Sequence, residues 1–155
     1  MTGVQTCALP IYANGLVIKQ DYGCANSVSQ VTYQNTCMKG VKHLITFYTN
    51  YGTCSGTSGN PVFSNILVNG VLATQSINGA YSEFNGYSST SPSSAALANV
   101  SLDSNGLNSG TNATQYATIS LDSSSITAAT LTGTGTTGMT TNTFSTSGSV
   151  PSCSF

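Results

Sequence analysis

Short apolar runs, each interrupted by Ser, Thr, Gly or Asn, make up most of this chain. Apolar residues do not recur at intervals of three and four, which argues against helices almost throughout. The runs are rich in Val, Ile, Thr, Tyr and Leu and are bounded by turn residues, as β-strands are. The pattern therefore predicts an all-β chain, with strands over residues 15–19, 29–35, 43–48, 61–68, 95–102 and 116–122.

A recurring element indicates how these strands are arranged. An apolar strand is followed by a small polar residue and then by a second apolar group in VTYQNTCM, ILVNGVLA and LANVSLDS. Asn35, Gly70 and Asn99 occupy the equivalent place, 35 and 29 residues apart, as successive coils of a solenoid would. We therefore predict a parallel β-helix rather than an antiparallel sandwich, with residues 52–60 and 79–94 as loops that lengthen the repeat.

The composition divides the chain into three segments. Residues 1–11, MTGVQTCALPI, resemble the translation of a sequencing-library adapter and are set aside from the fold. On this view the chain is a fragment whose gene extends upstream. Residues 12–127 are expected to form the coils. From residue 128 the chain is rich in Thr, Gly and Ser, so 128–155 are expected to form a terminal cap or a loosely ordered tail.

The charge of the chain argues against two classes of partner. Only 5% of the residues are charged, and the formal net charge is -1. Such a chain lacks the basic surface that nucleic acids and anionic membranes attract. It also has no run of 18 apolar residues that could form a transmembrane helix. We therefore predict neither a nucleic-acid partner nor a membrane partner.

The cysteines are compatible with an oxidising compartment. Once Cys7 is set aside with the adapter-like segment, Cys24, Cys37, Cys54 and Cys153 remain. An even number permits two disulfides in three possible pairings, although isolated buried thiols are the alternative. Their spacing fits no metal-binding motif, and the single His43 cannot complete a usual zinc site. The sequence predicts no metal and no cofactor.

Two segments carry the most specific signal, NGLVIKQD at 14–21 and VTYQNTCMKGVKHLI at 31–45. Together they resemble glycoside hydrolase family 28, the polygalacturonases, and especially its bacterial members. The segments PVFSNILVNGV at 61–71 and FNGYSSTSP at 84–92 are similar to later coils of that family, so the resemblance covers about residues 14–125. The matching positions in the first two segments and shortly after them are Asn14, Gly15, Ile18, Lys19, Tyr33, Asn35, Cys37, Met38, Val41, Ile45 and Tyr51.

The resemblance implies a fold and an activity. The fold would be a right-handed parallel β-helix, of which this chain holds the C-terminal coils. The parent protein would be a secreted or periplasmic enzyme that hydrolyses the α-1,4-galacturonosyl linkages of polygalacturonate with inversion. Its partner would be this pectic polysaccharide, and the full-length protein would be a monomer.

Lys19 and Tyr51 are the candidate substrate-binding residues. In a strand, Leu16 and Ile18 would point into the core, while Val17 and Lys19 would point outward into the cleft. The resemblance implies an Arg beside the Lys, because the two cations would hold the carboxylates of the substrate. This chain has Val17 at the Arg position, which indicates an altered substrate, a weakened enzyme or a sequence error close to the end of the read. Tyr51 matches a cleft Tyr of the family and would offer the sugar an aromatic surface and a hydroxyl donor.

We assign no catalytic residue in this chain. The resemblance places the catalytic residues of the family in N-T-D, Asp-Asp and G-H-G segments upstream of residue 14, and none of these segments occurs here. The carboxylates that remain are isolated in sequence, at Asp21, Glu83, Asp103 and Asp122. We expect Asp21 to be a solvated turn residue and His43 an exposed polar residue. The chain by itself is therefore predicted to release no reducing ends from polygalacturonate.

Two other functions remain open. A carbohydrate-binding or adhesive β-solenoid of a cell surface would suit the Ser, Thr and Asn content, the low charge and Val17. An Ig-like antiparallel module would explain the strands but not the ordered series of motifs. The N-T-D, Asp-Asp and G-H-G segments, if present upstream, would favour the hydrolase, and their absence would favour the adhesive solenoid.

Overall fold

The computed structural model describes residues 14–21, 26–54, 59–104, 107, 114–122 and 140–155. The described residues form strands and no helix, and none of them belongs to a helix that could cross a membrane. The strands are β1 (Asn14–Lys19), β2 (Val28–Lys39), β3 (His43–Tyr48), β4 (Phe63–Thr74), β5 (Tyr81–Asn85), β6 (Ser93–Leu102), β7 (Ala117–Asp122) and β8 (Thr140–Phe144).

The strands form two sheets in which the named neighbours are all parallel. One sheet has the order β1-β3-β5, and the other has the order β2-β4-β6-β7-β8. From β1 to β6 the chain passes alternately between the two sheets, so each of these three coils contributes one strand to each sheet. Leu107 and Gln115 continue the first sheet by single bridges to β5. The predicted parallel β-helix is therefore confirmed.

The core lies between the two sheets and is built from stacked rows of apolar side chains. Ile18, Phe47 and Phe84 form one such row across β1, β3 and β5. The rings of Phe47 and Phe84 meet edge to face with centroids 5.7 Å apart, and Tyr33 from the second sheet stacks on Phe47 at 6.2 Å. Burial of these side chains supplies most of the stabilisation.

The equivalence of Asn35, Gly70 and Asn99 is confirmed by the strand register. All three have a positive φ, of 50°, 77° and 52°, and each lies between paired residues in β2, β4 or β6. Glycine and asparagine tolerate this left-handed conformation best. Pairing continues on both sides of the bend. For this reason β2 and β4 run to Lys39 and Thr74, beyond the ends at 35 and 68 that the sequence predicted.

One predicted loop is wrong. Residues 79–94 contain all of β5 and the first residues of β6. The segment YSEFN was missed because three of its five residues are polar, and they resemble a turn in sequence. In the fold, Ser82, Glu83 and Asn85 are nevertheless buried.

The last eleven residues, 145–155, form a segment that we call the C-terminal strap. It begins after β8, where Thr146 N donates a hydrogen bond to Asp122 Oδ2 at 2.8 Å. It then passes Gly148 beside Asn99 and Ser149 beside Gly70, and a disulfide joins Cys153 to Cys37 of β2. The strap therefore runs back from the last described coil to the first. Cys54 is disulfide-bonded as well, whereas Cys24 lies outside the described residues.

Candidate functional site

The outer face of the sheet β1-β3-β5 carries the candidate site, and we call it the cleft face. Leu16 and Ile18 are buried beneath it, whereas Val17 is half-buried and Lys19 is exposed, which confirms the predicted alternation. Strand register aligns the side chains of this face in three rows. The first row is Asn14, His43 and Tyr81; the middle row is Val17, Thr46 and Glu83; the third row is Lys19, Tyr48 and Asn85.

A β-bulge in β3 brings His43 to the cleft face. His43 pairs with Tyr81 and Thr46 pairs with Glu83, so three steps along β3 correspond to two along β5. The additional residue lets Leu44 and Ile45 both enter the core, and His43 then faces the same way as Thr46. Its Nδ1 lies 2.8 Å from Asn14 Oδ1, and its ring lies 4.7 Å from that of Tyr81. His43 is thus half-buried rather than fully exposed, and it contacts both neighbours of its row.

Lys19 and Tyr51 are in direct contact. Lys19 Nζ lies 3.7 Å from the centroid of the Tyr51 ring, a cation–π contact. Tyr51 is 57% exposed, and its ring meets that of Tyr48 edge to face at 5.8 Å. The ammonium group covers one face of the ring, so a ligand would reach the other face or the hydroxyl.

A shallow depression of about 280 Å3 connects the rows of the cleft face. Its polar base includes Glu83, which is 4% exposed, and Thr46, which is 3% exposed. Within the described part of the chain, Thr46 Oγ1 has no hydrogen-bond partner although it is buried. The lining residues are His43, Thr46, Tyr48, Asn50, Tyr51, Tyr81 and Glu83.

The electrostatics of the depression differ between its two ends. Burial raises the pKa of Tyr48, while the positive charge of Lys19 lowers it and the negative charge of Glu83 raises it. Burial and then the charge of Glu83 raise the pKa of Tyr81. Burial and then the charge of Lys42 lower the pKa of His43. The field of Glu83 therefore reaches tyrosines at both ends, whereas Lys19 acts at one.

The other carboxylates have local contacts away from this depression. Asp103 accepts hydrogen bonds from the backbone and the hydroxyl of Ser76, and Asp122 accepts one from the strap. Asp21 is half-buried in the turn after β1, beside Gly52. The described residues contain no group of three or more His, Cys, Asp and Glu side chains that could hold a metal ion.

Aromatic rings, a lysine and buried polar groups on one open face suit a ligand with both apolar surfaces and hydroxyl or carboxylate groups, as a carbohydrate has. The family model of the glycosyl hydrolases family 28 matches residues 2–126. The chain therefore belongs to this family, whose members are glycoside hydrolases that act on polysaccharides. No curated protein and no solved structure matched the chain.

Sequence reasoning found only part of this site. It selected Lys19 and Tyr51, which the structure brings together, but it left out Tyr48, Tyr81 and Glu83. Glu83 was dismissed because no other acid lies near it in sequence. The structure shows what was missing: Glu83 lies in β5 two positions after Tyr81, and alternate residues of a strand share a face.

Proposed function

We propose that the cleft face is part of the polysaccharide-binding surface of a secreted glycoside hydrolase of the polygalacturonase type, acting on galacturonate polymers. The observation that carries the proposal is the contact between Lys19 and Tyr51 at the edge of the depression. Membership of the family and the disulfide Cys37–Cys153, which suits an extracellular compartment, support it.

Each group has a defined role in this proposal. Lys19 donates charge-assisted hydrogen bonds to the carboxylate of one galacturonate unit. The exposed ring of Tyr51 packs against an apolar face of the sugar, and its hydroxyl donates to a ring substituent. Neither group transfers a proton, so the roles of this chain are binding and orientation. We propose that the chain alone does not cleave the glycosidic bond, because no pair of carboxylates faces the depression among the described residues.

The test is a comparison of two lysine substitutions. Lys19→Gln should weaken the binding of trigalacturonate roughly tenfold, since a charged hydrogen bond is lost. Lys39→Gln is the matched control, because Lys39 lies on β2 beside Phe155 and outside the cleft face. Isothermal titration calorimetry would measure both affinities. Equal affinities for the two variants would contradict the proposal, and release of reducing ends by the unmodified chain would contradict its non-catalytic part.

A further inference from the structure

Four Asn-Gly pairs lie in the described part of the chain, and they differ in their surroundings. Asparagine before glycine is chemically labile, because glycine has no side chain to hinder the approach of its backbone nitrogen to the preceding carboxamide. The reaction also needs a mobile pair, since that nitrogen must rotate towards the carboxamide carbon. A further pair, at 105–106, lies outside the described residues. The four described pairs are Asn14-Gly15, Asn69-Gly70, Asn78-Gly79 and Asn85-Gly86.

Two of the pairs are fixed within the coils. Asn85 is buried, and the nitrogen of the glycine after it donates a hydrogen bond to Gln115 O at 2.9 Å. Asn69 lies in the middle of β4, where its Oδ1 accepts a hydrogen bond from Asn99 Nδ2 at 2.7 Å. In either pair, the reaction would first have to break hydrogen bonds that hold neighbouring coils together.

Asn14 is exposed, but it is held at the start of β1. Its Oδ1 lies 2.8 Å from His43 Nδ1. Gly15, which follows it, is packed so closely on β3 that an added Cβ would lie 2.5 Å from Leu44 O. The nitrogen of Gly15 therefore cannot rotate towards the carboxamide unless β1 separates from β3.

Asn78 and Gly79 lie at the tip of an exposed turn between β4 and β5. A hydrogen bond of 2.8 Å from Ala80 N to Ile77 O closes the turn, so the nitrogen of Gly79 takes no part in the closure. Gly79 has a positive φ of 74°, and an added Cβ would meet nothing within 4 Å. Among the four described pairs, this one combines an exposed carboxamide with an unhindered backbone nitrogen.

We propose that Asn78 is a site of spontaneous covalent modification, at which the nitrogen of Gly79 attacks the carboxamide and water completes its conversion to an acid. Gly79 N, after loss of its proton to hydroxide, forms a bond to Asn78 Cγ. The bond from Cγ to Nδ2 then breaks, and ammonia leaves with a proton taken from water. The cyclic imide takes up water at either of its carbonyl groups. Opening at Cγ gives aspartate, and opening at the main-chain carbonyl gives isoaspartate, whose backbone runs through the former side chain.

The turn connects this modification to the cleft face. Both of its ends are bonded to the adjacent coil, since Ile77 N donates to Val41 O at 3.1 Å and Tyr81 N donates to Lys42 O at 2.9 Å. Isoaspartate lengthens the backbone between these bonds by a methylene group, so the turn cannot close in the same way. Because the ring of Tyr81 packs against that of His43, the displacement should reach His43.

The principal experiment is incubation of the unmodified chain at mildly alkaline pH, followed by peptide mass spectrometry. In the folded chain, the acid should accumulate at Asn78 well before it appears at the other three described pairs. In urea the fold no longer protects those pairs, so all four should react at similar rates. Equal reaction of the four pairs in the folded chain, or no reaction at Asn78, would overturn the proposal.

Gly79→Ala tests the role of the glycine nitrogen. The added methyl group hinders the approach of this nitrogen to Asn78, so formation of the acid there should fall several-fold. Gly40→Ala is the matched control, because Gly40 also has a positive φ, of 66°, and open space for a Cβ, but follows Lys39 instead of an asparagine. It should leave the reaction at Asn78 unchanged. An undiminished reaction in Gly79→Ala would overturn the proposal.

The effect on the cleft face is measured on the isoaspartate form after its separation by ion exchange. Its His43 ring signals in proton NMR should move relative to those of the unmodified chain. Asn78→Asp is the control, because it carries the same charge without the longer backbone, and its His43 signals should move less. Equal shifts in the two forms would overturn the claim that the longer backbone displaces Tyr81.

Discussion

Lys19 and Glu83 place opposite charges on one face of a chain that has few charges. They lie on β1 and β5, at the two edges of a three-stranded sheet, and Tyr48 on the strand between them is affected by both. Because the chain carries few charges, these two groups, together with Lys42 beside His43, account for the charge effects on this face. A single charge substitution on the cleft face should therefore change ligand preference more than it would on an ordinary charged surface.

His43 provides a direct probe of the cleft electrostatics because it is the only histidine of the chain. Burial and the charge of Lys42 lower its pKa, so proton NMR should give a value below the ordinary 6.5 or so. Lys42→Gln should raise the pKa but leave it below that value, because burial is the larger cause. Lys39→Gln is the control and should not change it. A pKa of His43 at or above the ordinary value would contradict this account.

The same shift fixes the sign of a stability change. Folded His43 binds a proton less tightly than unfolded His43, so protonation favours the unfolded state. Neutral His43 therefore contributes to the free energy of unfolding above about pH 6.5, and this contribution declines as the pH falls below that value. The comparison of His43→Gln with the unmodified chain at pH 8 and pH 5 isolates this term. The variant should lose less stability than the unmodified chain between the two values.

For single residues, the sequence predicted the side-chain directions that follow from alternation along one strand. It did not predict directions or burial that depend on neighbouring coils. Lys19 was found because Leu16 and Ile18 fix the inward face of its own strand. The direction of the His43 side chain depends on a β-bulge. The bulge can be recognised only from the register with the partner strand β5. The burial of Glu83 likewise depends on what the adjacent coils place around it.

At the scale of elements, the repeat of Asn35, Gly70 and Asn99 was sufficient to predict the solenoid. The signal was strong because each position needs a left-handed backbone, which few residue types adopt easily. The Asn99 side chain also donates to Asn69 Oδ1 at 2.7 Å, which helps to hold the bend. By contrast, β5 contains no residue with a left-handed backbone. Its polar residues are typical of a turn, so the sequence did not predict a strand there.

The corner between β5 and β6 depends on Gly86 for a different reason, namely close approach. A Cβ there would lie 2.7 Å from Ser93 N and closer still to Tyr116 O, and both are backbone atoms that cannot rotate away. Gly86→Ala should therefore cost about 3 kcal/mol or more in the free energy of unfolding. The measurement is urea unfolding followed by circular dichroism.

Gly79→Ala is the matched control for this corner. Gly79 has a positive φ of 74°, but an added Cβ would meet nothing within 4 Å. Its substitution should cost only the left-handed backbone term, about 1 kcal/mol. A larger loss for Gly79→Ala than for Gly86→Ala would show that backbone conformation, rather than contact between coils, governs these turns.

At the scale of the whole molecule, the strap adds long-range contacts to a fold that is otherwise local. Coils of a solenoid contact their immediate neighbours, so stability is roughly a sum of neighbouring terms. The strap passes Asn99 and Gly70 in succession and is bonded to Cys37 in the first described coil. It therefore links the coil that carries Lys19 to the opposite end, which composition alone could not reveal.

The disulfide between Cys37 and Cys153 should be a main contributor to this link. It joins residues 116 apart in sequence, so Cys153→Ser should lower the free energy of unfolding by about 2–5 kcal/mol. Hydrogen exchange should become faster in β1 and β2 than in β6, because the strap leaves the first coil.

The double variant Cys37→Ser, Cys153→Ser should lose little more free energy of unfolding than either single variant, since both substitutions remove the same bond. Ser154→Ala, an exposed neighbour in the strap, is the control. A loss below about 1 kcal/mol in Cys153→Ser, or uniform exchange across the strands, would mean that the coils hold together without the strap.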